Sequence, residues 1–185
     1  WELCIANGSP QDEDMREVLE EYSARDKRIC VQDLTENLGI AGNTNAALSM
    51  ASGEFAGILD HDDLLAPNAL FEIAKALGRD RSLDAVYTDE DKVTTDLKEH
   101  FQPHLKPDFN LDLLRSNNYI CHFFVVRREI LKKVGGFRQE FDGAQDYDFI
   151  FRCVEQAEKV GHIPEILYHW RTHKASRGGN GGRKM

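Results

Sequence analysis

The strongest constraint on this chain is its alternation of short apolar strands with helix-period segments. Leu3 to Ala6 reads as a strand. Ser9-Pro10-Gln11-Asp12 reads as a helix start, with Ser9 as N-cap and Pro10 at the first helical position. Met15, Val18, Leu19 and Tyr22 then recur on one helical face. Arg28 to Gln32 is a second strand, and a small-residue helix through Ala46, Ala47, Leu48 and Ala51 follows the glycines at 39 and 42. Phe55 to Leu59 is a third strand, Pro67 opens a helix carrying Leu70, Ile73, Ala74 and Leu77, and Ala85 to Tyr87 is a fourth strand. That order predicts an α/β fold with a mostly parallel central sheet covered on both faces.

The second half is less regular. His100 to Asn118 holds Pro103 and Pro107 and reads as an extended crossing segment. Ile120 to Val126 reads as a strand, and Arg128 to Val134 as a helix stopped by Gly135-Gly136. Asp146 opens another helix with Tyr147, Ile150, Phe151, Val154 and Ala157 on its apolar face. His162 to Tyr168 is the last strand, and Lys174 to Met185 is a Gly-rich basic tail expected to be disordered.

Composition narrows the function classes. The 185 residues fit one domain with a sizeable core. A net charge of -9 argues against broad nucleic-acid binding while permitting a nucleotide at one local site. No apolar stretch is long enough to span a bilayer. The cysteines, at 4, 30, 121 and 153, are scattered and form no C-x-x-C pair, which favours reduced core thiols in a cytoplasmic protein over a zinc site or disulfide framework.

The third strand ends in Asp60-His61-Asp62-Asp63. Ligands of open α/β sheets bind beyond the carboxyl ends of strands. Carboxylates crowded there repel one another unless solvent, helix caps or a cation compensates. A hard divalent cation takes oxygen ligands and commonly bridges a carboxylate to substrate phosphates. Asp60-x-Asp62 therefore reads either as a cation site for a phosphate-bearing substrate or as a solvated loop whose Asp63 starts the next helix.

Several segments in order carry a family resemblance. They are C-I-A-N-G-S-P at 4–10, E-N-L-G-I-A-G-N-T-N-A-A-L at 36–48 and S-G-E-F-A-G-I-L-D-H-D-D-L-L at 52–65. Later come G-G-F at 135–137, G-A-Q-D-Y-D-F-I-F-R at 143–152 and Y-H-W-R-T-H at 168–173. Together they resemble the family 2 inverting glycosyltransferases of GT-A fold, especially bacterial enzymes that build O-antigen, rhamnan or capsule chains. The resemblance implies a three-layer α/β/α catalytic domain over residues 1–176, a tail at 177–185, and work in the cytoplasm at the inner face of the membrane. Family members usually begin with a strand and helix ahead of the point where this chain starts. An N-terminal strand and helix are therefore expected to be missing, with an additional domain or partner chain filling the gap.

The resemblance also implies roles. Asp60 and Asp62 match the Asp-x-Asp pair, with Asp62 and His173 as ligands of Mn²⁺ or Mg²⁺ and Asp60 in contact with the ribose or, through water, with the metal. Asp146 matches the catalytic base, although Gln145 stands where the family has Glu; read without the other motifs, Asp146 is an N-cap. Asn7, Asn37, Gly39, Asn45 and Arg171 fall at positions around a UDP- or dTDP-sugar donor. Asn7 replaces a usual Asp, so its amide carbonyl would accept the pyrimidine N3–H without charge assistance; as Asn7-Gly8 it is also an ordinary turn. Asp89, Glu90, Asp91, Asn118, Tyr119 and His122 are candidate contacts to a saccharide or lipid-linked glycan acceptor, against a plain reading as acidic turn and strand edge. Trp170 reads as a core residue or a lid over the sugar. Two rival classes remain. A D-x-D phosphatase would want Thr or Val at position 64, where this chain has Leu64. A non-catalytic sugar-nucleotide or glycan-binding domain is the other.

Overall fold

A computed structural model of the chain describes residues 1–172. His173, the end of the expected domain at 176 and the tail 177–185 lie outside the described residues.

The first strands, β1 (Leu3–Asn7) and β2 (Ile29–Asp33), pair parallel as a separate two-stranded sheet. Between them runs helix α1 (Glu13–Arg25). It begins later than Ser9-Pro10 predicts, because the Asp12 carboxylate caps it by accepting Met15 N–H at 3.1 Å, while Ser9 accepts Asp12 N–H in a preceding turn. Its apolar face was expected to pack, yet Met15, Val18 and Tyr22 are exposed and no residue of α1 is buried.

Helix α2 (Gly39–Met50) follows, then β3 (Phe55–Gly57), β4 (Leu64–Leu65) and α3 (Ala69–Arg79). The chain continues through β5 (Ala85–Val93), β6 (His100–His104), α4 (Leu111–Ser116), β7 (Phe124–Arg127) and α5 (Arg128–Val134). It closes with a short 3₁₀ turn (Gln139–Phe141), α6 (Gln145–Gln156) and β8 (Val160–Arg171). Gly135 ends α5 at φ +75, as its sequence predicts. The supposed extended crossing segment holds both β6 and the short helix α4, capped by Asn110.

The main sheet runs β3-β7-β5-β8-β4, with β6 alongside β5. The α/β layering holds, but this sheet is mixed rather than mostly parallel. Only β5 and β8 pair parallel within it; β7 runs antiparallel to both β3 and β5, and β4 and β6 pair antiparallel with their neighbours. Alternation along the chain sets the order of elements but not which strands become neighbours. Here β7 inserts between β3 and β5, and β8 between β5 and β4, so β3, β4 and β5, consecutive in sequence, are not adjacent in space.

Side chains alternate across the sheet and feed two cores. Ala85, Tyr87, Phe124 and Val126 face one way and pack with Leu114, Ile130, Phe149 and Ile150 from α4, α5 and α6. Val86 and Val125 face the other way, with Ala69 and Ile73 of α3, Phe123, Leu167 and Tyr168. Both faces are thus covered by helices, which is the three-layer arrangement.

Strand β5 is the largest departure from the sequence reading. Asp89-Glu90-Asp91 was expected to follow the end of the strand, as acceptor contacts or as a solvated acidic turn; instead the strand runs on through it and all three are buried. Each carboxylate has a basic partner: Asp89 with His162 Nε2 at 2.9 Å, Glu90 with Lys106 at 3.2 Å, and Asp91 with His169 at 2.6 Å. Buried carboxylates persist when paired and hydrogen-bonded.

Candidate functional site

The site gathers where the loop after β3, the 118–122 segment before β7 and the start of α6 meet. Tyr168 on β8 organises the acidic loop. Its hydroxyl donates to Asp63 Oδ2 at 2.6 Å and accepts Asp60 N–H at 3.4 Å. Asp63 Oδ1 also accepts Arg171 N–H at 2.8 Å. Asp63 therefore anchors the loop to β8 rather than starting a helix; α3 begins only at Ala69. Burial raises the Asp63 pKa, opposed by the Tyr168 and Arg171 bonds and reinforced by Asp62 and Asp60. The Tyr168 phenol is pushed up by burial and by its bond to Asp63.

The His122 ring stacks on Tyr168, with centroids 4.8 Å apart, and meets Trp170 edge-on at 6.1 Å. Ligand atoms of Asp60, Asp63 and His122 lie within 4.8 Å of one another. This set of two carboxylates and an imidazole, with Asp62 beside it in the loop, fits a divalent cation. His122, a candidate acceptor contact, stands against the acidic loop. Trp170 is 40% exposed, so it is no core residue.

Asp146 sits one residue inside α6, whose N-cap is Ala144 with no side-chain capping bond. The capping reading of Asp146 therefore fails. Its Oδ2 instead accepts Asn118 Nδ2–H at 2.9 Å, with Cys121 Sγ at 3.9 Å. Asn118 in turn accepts Cys121 N–H at 3.3 Å. Asn118, a candidate acceptor contact, thus holds one oxygen of the Asp146 carboxylate. Gln145, in place of the family's Glu, accepts Gly143 N–H at 2.6 Å and holds the turn before the helix. The Cys121 thiol is held far above its usual range, chiefly by burial, then by the Glu90 and Asp146 carboxylates, with Asp60 adding to them. Cys121 contacts Asp146 while its neighbour His122 bonds Glu90 and stands against Asp60 and Asp63, so carboxylates from β5, α6 and the acidic loop share one site.

Beneath the 118–122 segment lies Lys106, whose side chain is wholly buried. Its ammonium pairs with Glu90, donates to Ile120 O at 2.7 Å and also donates to His122 O. Glu90 Oε2 accepts His122 N–H at 3.1 Å. Of the acidic run, then, Glu90 faces this site, whereas Asp89 is taken up by His162 and by Lys106 N–H. Tyr119 was a candidate acceptor contact; it is a core residue, 4% exposed, packed edge-on against Tyr87 and accepting Asn110 N–H.

The expected nucleotide end comprises the tips of β1, β2 and α2. Asn7 Oδ1 accepts Ser9 N–H at 3.0 Å and its Nδ2 donates to Asp33 at 2.8 Å. The carbonyl expected to read a base thus already serves an Asx turn. Its neighbour Asp33 is exposed and brings the charge that Asn7 lacks. Asn37 accepts from Gly39 N–H at 3.0 Å and Asn43 Nδ2 at 2.9 Å, and Gly39 sits at φ +75, where a Cβ is disfavoured. A Cβ on Gly8 would meet Asn43 at 2.8 Å, so the β1 and α2 loops are in contact. Asn45 is a correction. Its amide exchanges two bonds with Phe137, Nδ2 to O at 2.8 Å and N–H to Oδ1 at 2.7 Å. Asn45 therefore staples α2 to the segment before α6, which engages both ends of the amide expected beside the nucleotide. The Arg171 main chain anchors Asp63, while its Nε is buried with no hydrogen-bond partner among the described residues.

Sequence reasoning missed Asp63, Asp33, Cys121 and Lys106. Asp33 had a signal: it ends β2 as Asn7 ends β1, and the parallel register sets them side by side. The others depend on partners far along the chain.

Comparison with known proteins gives this arrangement a family. The sequence profile described as "Glycosyl transferase family 2" matches residues 1–135. The O-antigen biosynthesis protein RfbC of Myxococcus xanthus is 39% identical over 182 residues, which is 98% of this chain and 14% of that protein. The chain spans only 20%, 14% and 18% of the length of the first curated relatives it matches. Among solved structures, S. aureus TarS 1-349 in complex with UDP-GlcNAc aligns with a TM-score of 0.72 and 20% identity, covering 94% of this chain and 50% of that one. The mannosyltransferase PcManGT of Pyrobaculum calidifontis, in complex with GDP-Man and Mn²⁺, aligns at 0.67 with 21% identity, covering 96% and 49%. These likenesses establish the GT-A fold, and the profile match establishes the family: the chain belongs to glycosyl transferase family 2.

Proposed function

We propose that the chain carries the donor site and catalytic base of an inverting sugar transferase that builds a cell-surface polysaccharide. The donor is a nucleoside-diphosphate sugar, UDP- or dTDP-linked, and the acceptor is a saccharide or lipid-linked glycan hydroxyl. The observation that carries this reading is the convergence of Asp146, bonded by Asn118 and Cys121, with the Asp60–Asp63 loop against the adjacent His122.

Asp146 removes the acceptor proton as that oxygen attacks the anomeric carbon; the bond from that carbon to the diphosphate breaks, with inversion. Asp60, Asp62, Asp63 and His122 are the groups that would hold Mn²⁺ or Mg²⁺. A bound divalent ion would offset charge on the departing diphosphate. The exposed Asp33 carboxylate is the charged acceptor for a pyrimidine N3–H at the nucleotide end. Complexes of TarS with UDP-GlcNAc and of PcManGT with GDP-Man and Mn²⁺ support a nucleotide-sugar donor and a divalent ion. The name of the Myxococcus relative supports the polysaccharide setting.

The test is a donor screen by calorimetry with and without Mn²⁺, followed by transfer assays of wild type and Asp146→Asn in the full-length protein. The expected result is Mn²⁺-assisted binding of one donor by both forms and transfer by wild type alone. Wild-type turnover in Asp146→Asn would reject the assignment.

A further inference from the structure

We propose that Asp91, His100 and His169 form a second cation site, separate from the acidic loop and suited to a borderline ion such as Zn²⁺. The ligand atoms of the three residues lie within 4.8 Å of one another. Asp91 Oδ1 is 2.6 Å from His169 Nδ1, and Oδ2 is 3.0 Å from His100 Nδ1. The two imidazoles stand edge-on, with centroids 4.7 Å apart. Zinc bonds of about 2.0–2.2 Å in a tetrahedron separate ligand atoms by roughly 3.3 Å, so modest movement would admit the ion.

Strand register fixes this constellation. Asp91 on β5 is directly paired with His169 on β8, and His100 on β6 is paired with Val93, two residues on from Asp91. The ligands thus come from three strands of one sheet rather than from loops. They also lie apart from the proposed transfer site. Tyr168 and Trp170 of β8 both contact His122, so alternation turns His169 to the opposite face. On β5, Glu90 bonds the His122 main chain while Asp91 bonds the two histidines.

Ligand chemistry sets the selectivity. Imidazole nitrogens suit Zn²⁺, whereas oxygen-rich sites such as the Asp60–Asp63 loop suit Mg²⁺ and Mn²⁺. Three protein ligands leave a fourth position, and the half-exposed His100 side chain opens it to solvent. Because β6 pairs only with β5 among the described residues, an ion joining β5, β6 and β8 would also fasten that strand.

The test uses metal-stripped protein without nucleotide. Zn²⁺ is titrated against a chromophoric chelator, and Co²⁺ is added to look for the intense visible bands of tetrahedral coordination. The variants are His100→Ala, His169→Ala and Asp62→Asn, with circular dichroism confirming that each is folded. Losing even an outer-shell partner weakens metal binding about ten- to a hundredfold, so loss of a direct ligand should cost at least about tenfold. The expected result is one tight Zn²⁺ per chain, a higher melting temperature with it, weakening in both histidine variants and no change in Asp62→Asn. The proposal is overturned if wild type takes up no Zn²⁺, in which case the cluster is a hydrogen-bonded network only. It is equally overturned if folded His100→Ala binds as tightly as wild type, or if Asp62→Asn abolishes the binding.

Discussion

Asn118 donates an amide N–H to Asp146 Oδ2 across 2.9 Å while its carbonyl accepts Cys121 N–H. Both ends of the amide are engaged, so the side chain is locked and the carboxylate with it. One oxygen of Asp146 is held, and in the proposed function the other meets the acceptor proton. Removing the amide frees the carboxylate to rotate without removing the base. A base contributes about 10²–10⁴-fold when positioned, so Asn118→Ala should forfeit only part of that, about tenfold in kcat, with KM for the donor unchanged. Steady-state kinetics of Asn118→Ala beside Asp146→Asn measure this. An Asn118→Ala effect confined to KM would place Asn118 on a substrate rather than on the base.

Asp63 links the acidic loop to folding through pH. Burial raises its pKa above the model-compound value of 3.8, with the nearby Asp60 and Asp62 carboxylates adding to the shift. A carboxylate whose folded pKa is raised favours folding while protonated. Its contribution is full below 3.8 and is lost as pH rises through the folded-state pKa. The difference in stability between wild type and Asp63→Asn should therefore shift against wild type across that window. A divalent cation bound at the loop favours the ionised carboxylate and should flatten the change. Urea melts of both forms at several pH values, with and without Mn²⁺, test it. Parallel pH curves for the two proteins would mean that Asp63 titrates alike folded and unfolded.

The legible part of the site was the part carried by local sequence. Asp60 and Asp62 could be singled out because a strand end is a local signal, whereas Asp146 stood out only through the family resemblance. Their partners could not. Tyr168 is 105 residues from Asp63, and Asn118 is 28 from Asp146. The acidic run at 89–91 was misread because charged residues are poor strand formers on average. Pairing with His162, Lys106 and His169 overrides that preference, and no local pattern announces the pairing. Asn45 shows the opposite error. An amide beside a nucleotide and an amide clamped on a main chain look the same in sequence, and only the approach of Phe137 separates them. Parallel against antiparallel neighbours was likewise out of reach, since β7 joins the sheet by a long-range insertion.

Lys106 is the clearest case of a buried charge that shapes the site without belonging to its chemistry. Its side chain is 0% exposed and its partner Glu90 is 9% exposed. Burial lowers the Lys106 pKa while the Glu90 charge and hydrogen bond pull it back up. The ammonium also holds the Ile120 and His122 carbonyls, so the segment carrying His122 and Cys121 rests on it. Lys106→Met keeps much of the volume but leaves Glu90 buried without its cation. Breaking a buried pair from one side typically costs about 3–5 kcal/mol, whereas replacing both charges costs far less. Lys106→Met alone should therefore be strongly destabilised, and Lys106→Met with Glu90→Gln should recover a large part of the loss. Denaturant midpoints of the two single variants and the double variant form the cycle that measures this. Additive losses in the double variant would show that the two charges do not depend on each other, and that Lys106 acts only through the carbonyls it holds.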